Sequence, residues 1–200
     1  MENHSVCGMD LKDYLIEMEA FHGGRSPGML VGAFLLDAAM ARMKNTRELG
    51  VVAETINCLP DAVQLLTPCT VGNGWLRIFN WSKFAITAYD RTTFKGVRAW
   101  LVAEAIPNWP AVHQWFNRPD PLKGMPLFDE LAESFLAGRH ELVDTAETLV
   151  LDSRLTDDHP KETGLCPGCR ESYPLSWGDR CPACQGMAYY DMTKNPGIQR

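Results

Sequence analysis

Two short cysteine pairs set the tightest limit on what this chain can fold into. Cys166-Pro-Gly-Cys169 and Cys181-Pro-Ala-Cys184 fall within nineteen residues near the C-terminus. A Cys-x-x-Cys knuckle turns both thiolates toward one tetrahedral ion, and two knuckles complete a four-thiolate shell. Zn²⁺ or iron suits such a shell, and its closure leaves no position for water, so the ion is structural. The eleven residues between the knuckles, 170–180, suit a ribbon or treble-clef finger. About 35 residues cannot build a sufficient core of their own, so the metal supplies the folding energy. Two disulfides would need an oxidising compartment, and a redox-active Cys-x-x-Cys would explain one pair but not both.

The rest of the chain has an ordinary globular composition. Of 200 residues, 46% are hydrophobic and 22% charged, which excludes disordered, collagen-like and coiled-coil classes. Residues 1–10 lack the basic start and long apolar core of a signal peptide. The longest apolar stretch, 29–41, is interrupted by Gly32 and Asp37 and falls short of the roughly 20 residues a membrane span needs. With seven cysteines, an odd number, the expected compartment is the reducing cytoplasm. A net charge of −6 argues against nucleic acid as a partner. So does the finger region, whose five cations and four acids over 160–200 make no basic patch.

Periodicity predicts an amphipathic helix over 10–21, ended by a Gly-rich break. A second helix, capped by Ser26 with Pro27 in its first turn, is apolar on nearly every face to residue 44 and should lie buried against a sheet. Strand-like runs occupy 49–56, 75–79, 84–89 and 96–102, with a short helix over 60–66 and a Pro/Gly/Asn loop over 67–74. This order indicates an α+β domain with a mixed sheet. Five of thirteen prolines, with Trp109, Trp115 and Phe116, make 106–126 a stiff arm expected to pack on its own domain. A helix over 127–137 should stop at Gly138, and 140–155 reads equally as helix or strand. The expected division is a domain over 1–156, a linker over 157–164 and a finger over 165–200.

Several polar residues of the first domain fall where pockets form in α/β layers: His22 in the Gly-rich break, Cys58 at a strand end, Gln64 on the short helix and Cys69 in the loop. Each alone has a structural explanation, since free cysteine is among the most buried residue types and a lone histidine is usually just hydrogen-bonded. Together, FHGGRSPGMLVG at 21–32, NCLPDAVQLLTPCTVGNGWLRI at 57–78 and WSKFAITAY at 81–89 resemble the FmdE family of formylmethanofuran dehydrogenase components. The C-terminal finger, which many longer members carry, extends the resemblance.

The resemblance implies a thioredoxin-like core with a mixed five-stranded sheet flanked by helices, a treble-clef zinc finger, a homodimer and a metal-binding pocket in the first domain. Cys58, Asp61, Gln64, Cys69, Thr70 and Lys83 match the family's second motif. The first motif, His-Gly-His-x-Cys-x-Gly, is altered. His22 matches its first histidine, but Gly24 replaces the second and Ser26 replaces the cysteine. The expectation is therefore one structural zinc in the finger and, around His22, Ser26, Cys58 and Cys69, a degenerate cleft without a second ion. No molybdopterin, iron–sulfur or dinucleotide motif is present, so a redox cofactor would sit on a protein partner. The leading expectation is an accessory or binding protein linked to formylmethanofuran or formate metabolism. The alternative is a thiol- or metal-dependent enzyme using Cys58 or Cys69, which needs His22 within hydrogen-bond reach of a thiolate.

Overall fold

A computed structural model describes residues 4–43, 46, 48–151, 155 and 162–190. The chain divides into two compact units, Met1–Leu155 and Thr156–Arg200. In the first unit, helix α1 (Leu11–His22) is capped by Asp10, whose side chain accepts from the Lys12 amide, and is ended by Gly23 at φ 84°. Helix α2 (Pro27–Arg42) starts as its sequence predicts, with the Ser26 hydroxyl accepting from the Met29 amide. Its Met29, Leu30, Phe34, Leu35 and Leu36 are wholly buried.

A five-stranded sheet lies against α2. Its strands are β3 (Leu49–Ala53), β4 (Leu76–Ile78), β5 (Ala85–Asp90), β6 (Lys95–Leu101) and β7 (Val143–Leu149), in the order β4-β3-β5-β6-β7. Only β3 and β4 run parallel, joined through helix α3 (Leu59–Leu66); the other neighbours are antiparallel. The register aligns Leu76, Val51, Ala88 and Val97 in one row and Arg77, Val52, Thr87 and Arg98 in the next. Strand side chains alternate between faces, so the first, wholly apolar row packs into the helical layer. On the other face Glu54, only 3% exposed, takes a bidentate ion pair from Arg98 at 2.6 and 2.7 Å. Sequence periodicity carried no sign of this pair.

Three details differ from the sequence reading. Gly138 does not end its helix: α5 runs Phe128–Leu142 and passes directly into β7. A Cβ at residue 138 would stand 2.4 Å from the Trp109 ring, so this glycine serves close packing rather than termination. The ambiguous segment after it is helix to Leu142 and strand from Val143 because each half meets a different neighbour, the arm or β6. The N-terminus is also ordered from residue 4. Strands β1 (Ser5–Val6) and β2 (Met9–Asp10) form a hairpin turning on Cys7 and Gly8, both at positive φ. The Cys7 amide donates to Asp37 of α2 at 2.7 Å, and Asp37 pairs with Arg139 of α5. Burial pushes the Cys7 thiol up to about 12, against the pull of Arg139.

The proline-rich arm packs on its own unit. It forms a helical turn at Ile106–Asn108, helix α4 (Pro110–Phe116) and a second turn at Pro121–Lys123. Trp115 and Phe116 meet the Phe84 ring edge-on, each at 5.5 Å, and Trp115 also meets Phe135 of α5. Among the described residues no helix is long and apolar enough to cross a membrane.

Candidate functional site

The second unit is built around its cysteines. Strands β8 (Thr163–Leu165) and β9 (Ser172–Pro174) pair antiparallel, with Leu165 opposite Ser172. The linker expected over 157–164 lies outside the described residues as far as 161, and Thr163 and Gly164 belong to this hairpin. The first knuckle forms its turn, where Arg170 adopts φ 68° and the Cys166 amide bonds Glu171. The second knuckle opens the helical turn Pro182–Gln185. Tyr173, donating to the Gly178 carbonyl at 2.7 Å, fills what small interior the unit has.

The four sulfurs of Cys166, Cys169, Cys181 and Cys184 lie within 4.8 Å of one another, and those of Cys169 and Cys181 are 3.7 Å apart. Zinc–thiolate bonds of about 2.3 Å in a tetrahedron put sulfurs about 3.8 Å apart, so the cluster is sized for one ion. Cys166 is fully buried, and amide hydrogen bonds, first from Cys181 and then from Cys169, pull its thiol down to about 6. Gly168 is needed here, since a Cβ would approach the Cys184 sulfur to 2.9 Å.

In the first unit, four of the eight candidate residues gather at the first turn of α3. Cys58 is not at a strand end; it is the N-cap residue of α3, in a left-handed conformation with φ 56°. The Ser26 hydroxyl donates to its sulfur at 3.3 Å. His22 is the last residue of α1, and its Nδ1 donates to Asp61 of α3 at 2.7 Å, leaving Nε2 unbonded among the described residues. Gly28 brings α2 against this turn. A Cβ there would stand 2.7 Å from Cys58 Cβ and 3.7 Å from the Phe84 ring.

The other four candidates serve elsewhere. Cys69 lies past the far end of α3, about 12 Å along the helix from Cys58. It is fully buried and donates to the Leu49 carbonyl at 3.4 Å, and burial pushes its thiol above its usual range. Gln64 accepts from the Val71 amide at 3.3 Å. Thr70 and Asn73 bond each other reciprocally, each side chain accepting from the other's amide, so both shape the 67–74 loop. Asn73, which also accepts from the Trp75 amide, organises that loop and was missed; an Asn two residues before a strand is the signal for it. Lys83 is exposed, its ammonium 5.6 Å from the centre of the Trp81 ring.

This geometry bears on both metal and thiol chemistry. Among the described residues, the finger cysteines are the one group of three or more His, Cys, Asp or Glu whose ligand atoms converge. His22, Cys58 and Cys69 therefore do not form a three-ligand set. His22 reaches Asp61 and not a thiol, whereas the alternative enzyme reading needs a histidine–thiolate contact.

Comparison with known proteins accounts for both units. The family described as "FmdE, Molybdenum formylmethanofuran dehydrogenase operon" matches residues 21–142, and the FmdE treble clef zinc finger matches residues 157–191. The crystal structure of an FmdE-like protein of tungsten formylmethanofuran dehydrogenase, from Syntrophus aciditrophicus, aligns with a TM-score of 0.83 and 35% identity. That alignment covers 95% of this chain and 100% of the other. A "Probable S-adenosyl-L-methionine-binding protein" of Archaeoglobus fulgidus is 31% identical over 103 residues, 48% of this chain. Those residues are 28% of that protein, so the match spans under a third of its length. The chain belongs to the FmdE family and carries that family's treble clef finger, with four cysteines for one structural zinc.

Proposed function

We propose that this chain is an accessory or ligand-binding protein of formylmethanofuran- or formate-type metabolism, a cytoplasmic homodimer that works beside a redox partner. The reading rests on the use made of Ser26, which stands where the family motif has a cysteine. Its hydroxyl accepts from the Met29 amide at 3.4 Å and donates to the Cys58 sulfur at 3.3 Å. A hydroxyl committed in both directions, and protonated at neutral pH, is a poor ligand for a metal. Gly24, where the motif has its second histidine, brings none at all. The turn around Cys58 then serves as a cleft, with Nε2 of His22 as its uncommitted polar atom and the Lys83 ammonium on the nearby aromatic loop.

Metal analysis of the purified protein is the direct test. One zinc per chain is expected, unchanged in the His22→Ala/Cys58→Ala variant and lost in Cys166→Ser/Cys169→Ser. Two ions per chain, falling to one when His22 is removed, would overturn the reading. So would turnover of formate or formylmethanofuran by the protein alone with an electron acceptor. Sedimentation equilibrium should return twice the 22.4 kDa chain mass.

A further inference from the structure

The groove between α4 and α5 lies apart from both sites described above. It encloses about 790 Å³, within the range of roughly 300–1,000 Å³ typical of small-molecule sites. Its apolar walls come from Trp109, Met125, Pro126 and Leu127, and Met125 and Leu127 are 50% and 70% exposed. The walls are held in place. Gln114 donates to the Asp120 and Gly124 carbonyls at 2.7 and 2.9 Å, fastening the arm. Trp109 lies against Gly138 and donates from its indole nitrogen to Glu141 at 3.2 Å.

An inventory of the polar groups indicates what would fill the groove. The Gln114 amide nitrogen is used twice, and the Ser134 hydroxyl donates to the Glu130 carbonyl at 2.8 Å. Lys123, the one cation in the lining, is 3.8 Å from the Asp120 carboxylate. The Glu130 and Glu133 carboxylates have no hydrogen bond or ion pair with any described residue. They are three residues apart on α5, hence on the same face, where like charges repel. The groove thus combines an indole and an apolar wall with two uncompensated negative charges. An anion would be repelled, and a neutral apolar molecule would leave both charges unrelieved.

We propose that this groove is a binding site for a small organic cation with an apolar body, held between the Trp109 ring and the Glu130 and Glu133 carboxylates. A cation over an aromatic face and beside carboxylates gains from both, each by a modest amount at a partly exposed site. The site is independent of the cleft at α3, and its test does not depend on the metal content of the protein.

The test is NMR titration of the ¹⁵N-labelled full chain with benzyltrimethylammonium chloride, with benzyl alcohol and phenylacetate as controls of similar size. The Trp109 indole signal, assigned by its loss in Trp109→Phe, should move saturably with the cation. The cation should bind about tenfold more tightly than the alcohol, and phenylacetate more weakly than either. In the E130Q/E133Q variant, cation and alcohol should bind alike. Equal binding of cation and alcohol by the unmodified protein would overturn the proposal. So would undiminished cation binding by E130Q/E133Q, or no saturable movement of the Trp109 signal.

Discussion

The finger and the first turn of α3 both gather sulfur, and they do so by opposite routes. In the finger, four cysteines from one short stretch of chain converge within 4.8 Å, held by a two-stranded hairpin and a helical turn. At α3, His22, Ser26, Cys58 and Asp61 come from the end of α1, the start of α2 and the start of α3, and they settle into two separate pairs. A metal shell that also folds its domain has to be local and complete. A cleft assembled on an already stable core can lose ligands without losing the fold, because α2 and the sheet hold its position. The same residue types thus carry different obligations in the two units.

The sharpest way to break this comparison is to remove the finger's metal. Structural zinc supplies roughly 10–16 kcal/mol in small metal-dependent folds. Chelation, or Cys166→Ser, should therefore abolish amide protection over 162–190 in hydrogen exchange while protection in α2 and β5 is retained. Equal loss in both units would show that their stabilities are not separable.

A smaller effect is expected at α3, with the opposite dependence on its thiol. Gly28→Ala places a Cβ 2.7 Å from that of Cys58 and should destabilise the first unit by about 1–3 kcal/mol in denaturant unfolding. Adding Cys58→Gly should restore stability, since it removes the clash and suits φ 56°. Failure of that rescue would mean the sulfur supports the fold, as the finger's cysteines do.

The smallest effect concerns pH. The Cys7 thiol is pushed up to about 12 in the folded chain, above the roughly 8.5 of a free cysteine. The folded state therefore holds this proton more tightly. The contribution is full below about pH 8.5 and is lost as pH rises toward the folded value. Cys7→Ala should flatten the alkaline limb of the stability profile, and an unchanged limb would place the alkaline sensitivity elsewhere.

Much of the architecture was legible because it depends on near neighbours in sequence. Ser26 and Pro27 mark the start of α2, and its all-round apolar surface marks its burial. The knuckles mark the finger. Gly138 was misread because glycine signals both helix ends and close packing, and only the position of Trp109 distinguishes them. The Cys7 hairpin was missed because what orders it, Asp37 with Arg139, is distant in sequence. At the candidate cleft the residue types were visible, but their pairing was not: Cys69 and Cys58 bracket one short helix and so face different neighbours.

By itself, then, the sequence determined the structural metal shell, the helices and strands with clear periodicity, and the family to which the chain belongs. These follow from spacing along a few turns of chain. The tertiary structure alone decided that His22 pairs with Asp61, that Ser26 serves Cys58, and that Glu130 and Glu133 border an open groove without counter-ions. Those outcomes depend on which helix faces which, and side-chain hydrogen bonds are settled by distances of a few tenths of an ångström that only packing sets.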